Sequence, residues 1–259
     1  MSDSYFEIYQ KIFNKTLPNE FDSVKILHIR NWDSVPGAVG ERNFKVINYK
    51  KLEFITQQLI LHRGDNLLAL DLDVVFFQNF KDEINTLLKD NDMVFQRNPH
   101  SEHDPYCVAT WALQCSLKNI NFFGREIMPR ARALLLTGEE YTNIRNAVLS
   151  GESLNIPKQW VSQNLYRGGN GIYDGDACVV NDAILESGLG QQLNVAFLPD
   201  TYAQGDGSIP ENATECVLYQ AASTAHGSAA KINALEKVYK QIKDEKDRSH
   251  CRQWEERHK

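Results

Sequence analysis

The stretch Leu67-Leu68-Ala69-Leu70-Asp71-Leu72-Asp73-Val74-Val75-Phe76-Phe77 decides how this chain is read. An apolar run ends on two carboxylates one residue apart, and a second apolar run follows at once. Two acids where a buried strand ends do little for folding, but they are well placed to hold a divalent cation. Side chains two apart on extended backbone leave on the same face. The oxygens of Asp71 and Asp73 are therefore expected to converge on one hard ion and its waters. Such an ion keeps open positions that phosphate oxygens can fill.

The D-x-D pattern alone occurs by chance in many chains, and its weight here comes from a second segment. Ala225-His226-Gly227-Ser228-Ala229-Ala230-Lys231 opens a helical pattern. The His226 imidazole can ligate the same Mn²⁺ or Mg²⁺ as the aspartates. Gly227 permits close backbone approach to a pyrophosphate, and the following helix offers its positive N-terminus. Lys231 supplies a point charge for the distal phosphate. The plainer alternative is that His226 caps a helix and Lys231 is a surface lysine.

The first hundred residues alternate strand and helix patterns. Residues 4–16 place Tyr5, Ile8, Tyr9, Ile12 and Phe13 on one helical face. Residues 24–29 read as a strand, 43–62 as a long helix, 67–70 as the strand feeding the aspartates, 80–89 as a helix and 93–96 as a strand. This predicts an α/β fold with a largely parallel, Rossmann-type sheet flanked by helices. Ligands in such sheets sit beyond the carboxyl ends of strands, where Asp71 and Asp73 fall. Further on, residues 108–113 read as a strand, 117–136 and 176–187 as helices, and 194–198 as a strand. Residues 137–166 show weak periodicity, and 137–175 as a whole is read as an insertion on the acceptor side. Ile232, Leu235, Val238, Tyr239 and Ile242 form a helical stripe. The charged stretch 240–259 is a solvated helix or a frayed tail. No boundary or linker stands out, so residues 1–259 read as a single domain.

The formal net charge of −6 argues against coating nucleic acid, which needs a basic excess. No stretch approaches the roughly 18 consecutive apolar residues of a membrane span. The opening residues lack the basic start and apolar core of a signal peptide. Five cysteines without a CxxC pair suit reduced thiols. The expected location is cytoplasmic.

With both segments in place, the chain resembles the nucleotide-diphospho-sugar glycosyltransferases of the GT-A fold, over roughly residues 40–240. The points of likeness are Lys51 with Ile55, Asp71 and Asp73, Asp176 with Asn181, Leu198-Pro199, His226-Gly227 and Lys231. The resemblance implies that Asp73, Asp71 and His226 ligate the metal, with Asp71 able to reach the ribose instead. It implies that Lys231 and Gly227 clamp the pyrophosphate and that Lys51 faces the donor. Asp176 matches the acid that meets the transferred sugar or the acceptor, although Ala177 stands where relatives carry glutamine. Asp176 and Asp71 are thus the catalytic candidates. A lysine on an exposed helix face would explain Lys51 equally, and a helix N-cap would explain Asp176. GT-A sheets normally begin with a short strand, and Met1–Tyr5 falls where relatives would already be leaving it; either the fold lacks that strand or the sequence is trimmed, and the base-binding edge stays open. Trp111 is either a stacking platform for a sugar or core, with core favoured. Residues 204–207 are either an acceptor loop or a plain turn.

The implied activity is metal-dependent transfer of a hexosyl or pentosyl group from a UDP- or GDP-type sugar nucleotide to a hydroxyl of a glycan or other acceptor, with retention of configuration. Two other readings stand beside it. Paired aspartates also serve phosphohydrolases and nucleotidyltransferases, and a non-catalytic nucleotide-sugar-binding domain would carry the same motifs.

Overall fold

The computed structural model describes residues 3–27, 42–98, 104–150, 157–160, 172–173, 175–205, 207–221 and 227–257. Among them lie seven strands: β1 (Asn66–Leu70), β2 (Val74–Phe76), β3 (Met93–Arg97), β4 (Tyr106–Gln114), β5 (Val195–Phe197), β6 (Tyr202–Gly205) and β7 (Leu218–Ala221). They form two sheets, ordered β1-β4-β3-β5 and β2-β7-β6. With the intervening helices this is the α/β class expected. The chain divides into a larger unit, Val35–Ala69 with Ile84–Phe197, and a smaller one, Met1–Ser34 with Leu70–Glu83 and Leu198–Lys259.

In the larger unit, β3 is apolar on both faces and buried from Met93 to Gln96. It pairs with β5 in parallel and with β4 antiparallel. The expectation of a largely parallel sheet therefore needs correcting at β3–β4, and the reason is chain length. Only positions 98 to 105 join these strands, and a parallel crossover takes about a dozen residues or more. The Asn98 N–H donates to the Pro105 carbonyl at 2.9 Å and closes the neck of the connection. The ladder then slips: Phe95 faces Trp111 while Gln96 faces Cys107, so residues 108–110 of β4 have no counterpart on β3. Trp111 is core, with its ring 5.0 Å from Phe95 and 5.8 Å from Phe123.

The helix Arg42–Leu61 buries Leu52, Ile55 and Leu59 at the spacing of one helical face. The helix expected over 117–136 is present but changes winding, from α (Leu117–Phe122) through a π turn (Phe123–Ile127) to α (Met128–Ala131) and 3₁₀ (Arg132–Leu135). Gly138–Ser150, read as irregular insertion, is a helix. Its start is a capping box: the Glu140 N–H donates to Thr137 Oγ1 at 3.2 Å, and the Thr137 N–H donates to Glu140 Oε2 at 2.8 Å.

In the smaller unit, Asp3–Ile8 is helical and continues through a π turn, Tyr9–Phe13, into Asn14–Thr16. Ile8, Ile12 and Phe13 are buried, as their spacing predicts. The strand expected over 24–29 does not include residues 24–27, where Val24 is exposed; 28 and 29 lie outside the described residues. β7 lies between β2, antiparallel to it, and β6, parallel to it. The helix Gly227–Arg257 lays Ile232, Leu235, Val238 and Ile242 into a core shared with Ile8, Ile12, Val75 and Tyr219. Among the described residues, no helix is long and apolar enough to cross a membrane.

Candidate functional site

The Asp71–Asp73 segment follows the end of β1 and precedes β2. Leu72 and Asp73 sit at a bend, not in extended strand, so the same-face argument for the two aspartates does not hold as a matter of strand geometry. Asp73 is instead held by tertiary partners. Its carbonyl accepts from the Ala221 N–H at 3.0 Å, which ties it to the end of β7. Its Oδ2 is ion-paired with Lys231 Nζ, from the second turn of the Gly227–Arg257 helix. Lys231 is thus no ordinary surface lysine, since its side chain is only 17% exposed.

Asp73 is 3% exposed, and its Oδ1 has no hydrogen-bond partner. Burial pushes this carboxyl above its ordinary value, Lys231 opposes the shift, and the charge of Asp71 adds to it. A buried carboxylate oxygen without a donor is costly unless something cationic uses it. Among the described residues no group of three or more His, Cys, Asp or Glu side chains could hold a metal ion, but the unpartnered Asp73 oxygen is a hard donor of the kind a divalent ion takes. Gly227 opens the helix, as expected from the sequence. His226 lies outside the described residues.

A second polar cluster lies in the larger unit. Lys51 Nζ is 2.9 Å from Asp176 Oδ2 and also donates to the Val108 carbonyl at 2.9 Å. Val108 lies in the part of β4 that the register slip leaves unmatched on β3. The exposed-helix explanation of Lys51 is therefore wrong, because its side chain is 17% exposed. Gly175 occupies the N-cap of the Asp176–Glu186 helix, and Asp176 is its first residue, so the N-cap explanation of Asp176 is wrong as well. The Asp176 Oδ1 accepts from the Ala177 N–H at 2.9 Å. Sequence reasoning named Lys51 and Asp176 separately and did not foresee that they pair.

Asn181 explains why this helix sits where it does. Its Oδ1 accepts from the Tyr106 N–H at 3.0 Å, and its Nδ2 donates to the Tyr106 carbonyl at 2.8 Å. The amide thus docks the helix on β4 through backbone alone. Of residues 204–207, Gln204 and Gly205 belong to β6 and Asp206 lies outside the described residues. Gly207 has φ +102° and donates its N–H to the Tyr219 hydroxyl at 2.8 Å. This is a left-handed position that favours glycine.

Neither a curated protein nor a solved structure matches the chain. The sequence model of one family does match, and it spans residues 23–235, which takes in Lys51, the Asp71–Asp73 segment, Asp176 and Lys231. By that match over most of its length, this chain belongs to the nucleotide-diphospho-sugar transferase family.

Proposed function

We propose that the chain is a metal-dependent glycosyltransferase that moves a sugar from a nucleoside-diphosphate sugar to an acceptor hydroxyl and retains the anomeric configuration. The observation that carries this reading is the buried Asp73 carboxylate, with Lys231 on one oxygen and no partner on the other. Asp73 and Asp71, with His226, would hold Mn²⁺ or Mg²⁺. Such an ion supplies Lewis-acid charge to the leaving diphosphate when bound.

The chain's own groups do the rest. Lys231 places a cation beside the carboxylates, where diphosphate charge develops. The Ala221 N–H and the Lys231 ammonium fix Asp73 at backbone and side chain, so its free oxygen needs no reorganisation. Gly227 and the helix it opens contribute backbone N–H groups to the same anion. In the larger unit, Asp176 and Lys51 serve the transferred sugar: a carboxylate accepts from sugar hydroxyls, and the ammonium holds that carboxylate in place. In front-face retention the leaving phosphate takes the acceptor proton, so the chain needs no strong general base. Residues 137–175 contribute to the acceptor side, because specificity resides on segments held by a rigid sheet.

The test is release of UDP or GDP from sugar nucleotides with and without Mn²⁺, while inorganic phosphate is followed. Nucleoside diphosphate without inorganic phosphate, dependent on the metal, is expected; inorganic phosphate release favours the phosphohydrolase reading. Lys231→Ala should weaken nucleoside diphosphate binding more than monophosphate binding, by about tenfold or more, as for a charge-assisted contact of about 1.5–3 kcal/mol. Equal losses would remove Lys231 from the distal phosphate.

A further inference from the structure

The helix Arg42–Leu61 carries an unusual second face. Lys45, Asn48 and Lys51 recur at intervals of three, which places them in one row beside the apolar stripe of Leu52, Ile55 and Leu59. All three are mostly removed from solvent: Lys45 and Asn48 are each 6% exposed. Two of the three have partners that account for their burial. Lys45 Nζ stands 3.3 Å from the centroid of the Tyr141 ring, and Lys51 is held by Asp176 and the Val108 carbonyl.

Asn48 is different. Its Nδ2 is buried and donates to nothing. It sits at the start of the Asp176 helix, since a Cβ built on Gly175 would lie 3.6 Å from it. A buried amide donor without an acceptor costs stability, and a bound ligand that supplies the missing atom is one way a native chain offsets that cost. Gly175 adds a second reason. Its φ of −157° is open to any residue, so backbone conformation does not require glycine there. A Cβ there would lie 3.6 Å from both the Asn48 amide and the Phe44 ring, so the glycine keeps a carbon-sized gap between them, beside Asp176 in the chain.

We propose that Asn48 is a specificity-determining residue that donates its Nδ2 hydrogen bond to an oxygen of the transferred sugar, beside Asp176. This rests on the assignment of Lys51 and Asp176 to the sugar, and it deepens that assignment. A neutral donor next to a carboxylate acceptor reads a hydroxyl pair, one accepting and one donating. The preferred donor is therefore a sugar with adjacent hydroxyls at this site. A site built to hydrogen-bond a hydroxyl rejects the analogue lacking it far better than an apolar pocket rejects extra bulk.

The experiment compares each of UDP-glucose, UDP-galactose, UDP-xylose and GDP-mannose with its own nucleoside diphosphate, by calorimetry in Mn²⁺, together with thermal denaturation without ligand. Asn48→Leu keeps the size and removes the orphan donor. It should leave the melting temperature unchanged or raise it, weaken the sugar nucleotide by about tenfold or more, and leave the nucleoside diphosphate within about twofold. Asn48→Ser, which is smaller, guards against a Leu variant that fails to fold, and should show the same split. Asp176→Asn and Lys51→Met go through the same assay. If they change the ratio of sugar nucleotide to diphosphate and the Asn48 variants do not, the role of Asn48 is overturned and the sugar assignment stands. If no variant changes the ratio, or no sugar nucleotide binds more tightly than its diphosphate, the assignment itself falls. A melting temperature that drops in both Asn48 variants makes the amide a structural group and also overturns the proposal.

Discussion

Asp73 and Lys231 form the buried ion pair on which the proposed donor site rests, and their pairing has a measurable energy. Their side chains are 4% and 17% exposed, so the pair is screened little by solvent. Removing one member of a buried pair leaves the other uncompensated and costs about 3–5 kcal/mol, while removing both costs less. Asp73→Asn and Lys231→Met should therefore each lower stability, and the double variant should fall short of their sum by about 0.5–3 kcal/mol. Denaturant titration of the four proteins measures that coupling; strict additivity would mean the two side chains do not share energy. Cys216 provides a residue-scale prediction in pH. Burial pushes its thiol up to about 12, with Lys246 opposing, against about 8.5 for a free cysteine. The folded value is the raised one, so the contribution to stability is complete below pH ~8.5 and declines as pH climbs towards ~12. The fall in melting temperature between pH 9 and 11 should accordingly be shallower in Cys216→Ala than in the parent. At pH 8 the native protein should keep Cys216 unlabelled by iodoacetamide over the time that denatured chain takes to react fully.

At the scale of elements, two polar devices hold helices in place, one local and one long-range. The capping box of Thr137 and Glu140 starts the Gly138–Ser150 helix. Thr137→Ala should cost about 1 kcal/mol, within the usual range for an N-cap. Amide exchange in the first turn of that helix should rise, and unchanged protection there would assign the helix start to packing alone. The T-x-x-E pattern was present in the sequence, and a search for capping boxes in place of hydrophobic periodicity would have found this helix. Asn181 is the other device. It satisfies both backbone groups of Tyr106, and each group left buried without a partner costs about 1–3 kcal/mol. Asn181→Ala should therefore destabilise by more than about 2 kcal/mol and, because the same helix begins at Asp176, reduce transfer beyond what the stability loss explains. Full activity in a destabilised Asn181→Ala would separate the docking of this helix from the position of Asp176.

For the molecule as a whole, the donor-binding reading predicts linkage between ligand and stability. Binding to the folded state alone adds about 2.7 kcal/mol at a hundredfold excess over Kd. For a chain of this length that corresponds to roughly 5–10 °C in melting temperature. A saturating nucleoside diphosphate with Mn²⁺ should give a shift of this order, and EDTA should remove most of it. A shift that survives EDTA would take the metal out of donor binding and leave the charge of Lys231 as the main anion holder.

What could be read from the sequence alone was what local periodicity and local charge report. The apolar stripe from Ile232 to Ile242, the strand ahead of Asp71 and the helix from Arg42 are each set by the spacing of a few neighbouring side chains, and the structure has them. The Asp71–Asp73 and Gly227–Lys231 segments stood out because their residue types are poor for burial and good for anions and cations. Tertiary structure alone decided which of these groups meet. Lys231 is 158 residues from Asp73. Lys51 finds Asp176, 125 positions further on, and the Val108 carbonyl of β4. Asn48 looked like any polar residue of a helix until its burial showed an amide with no acceptor. Periodicity tells a side chain which face it occupies, but the partner on that face is chosen by strand order and register, which join residues far apart in the chain.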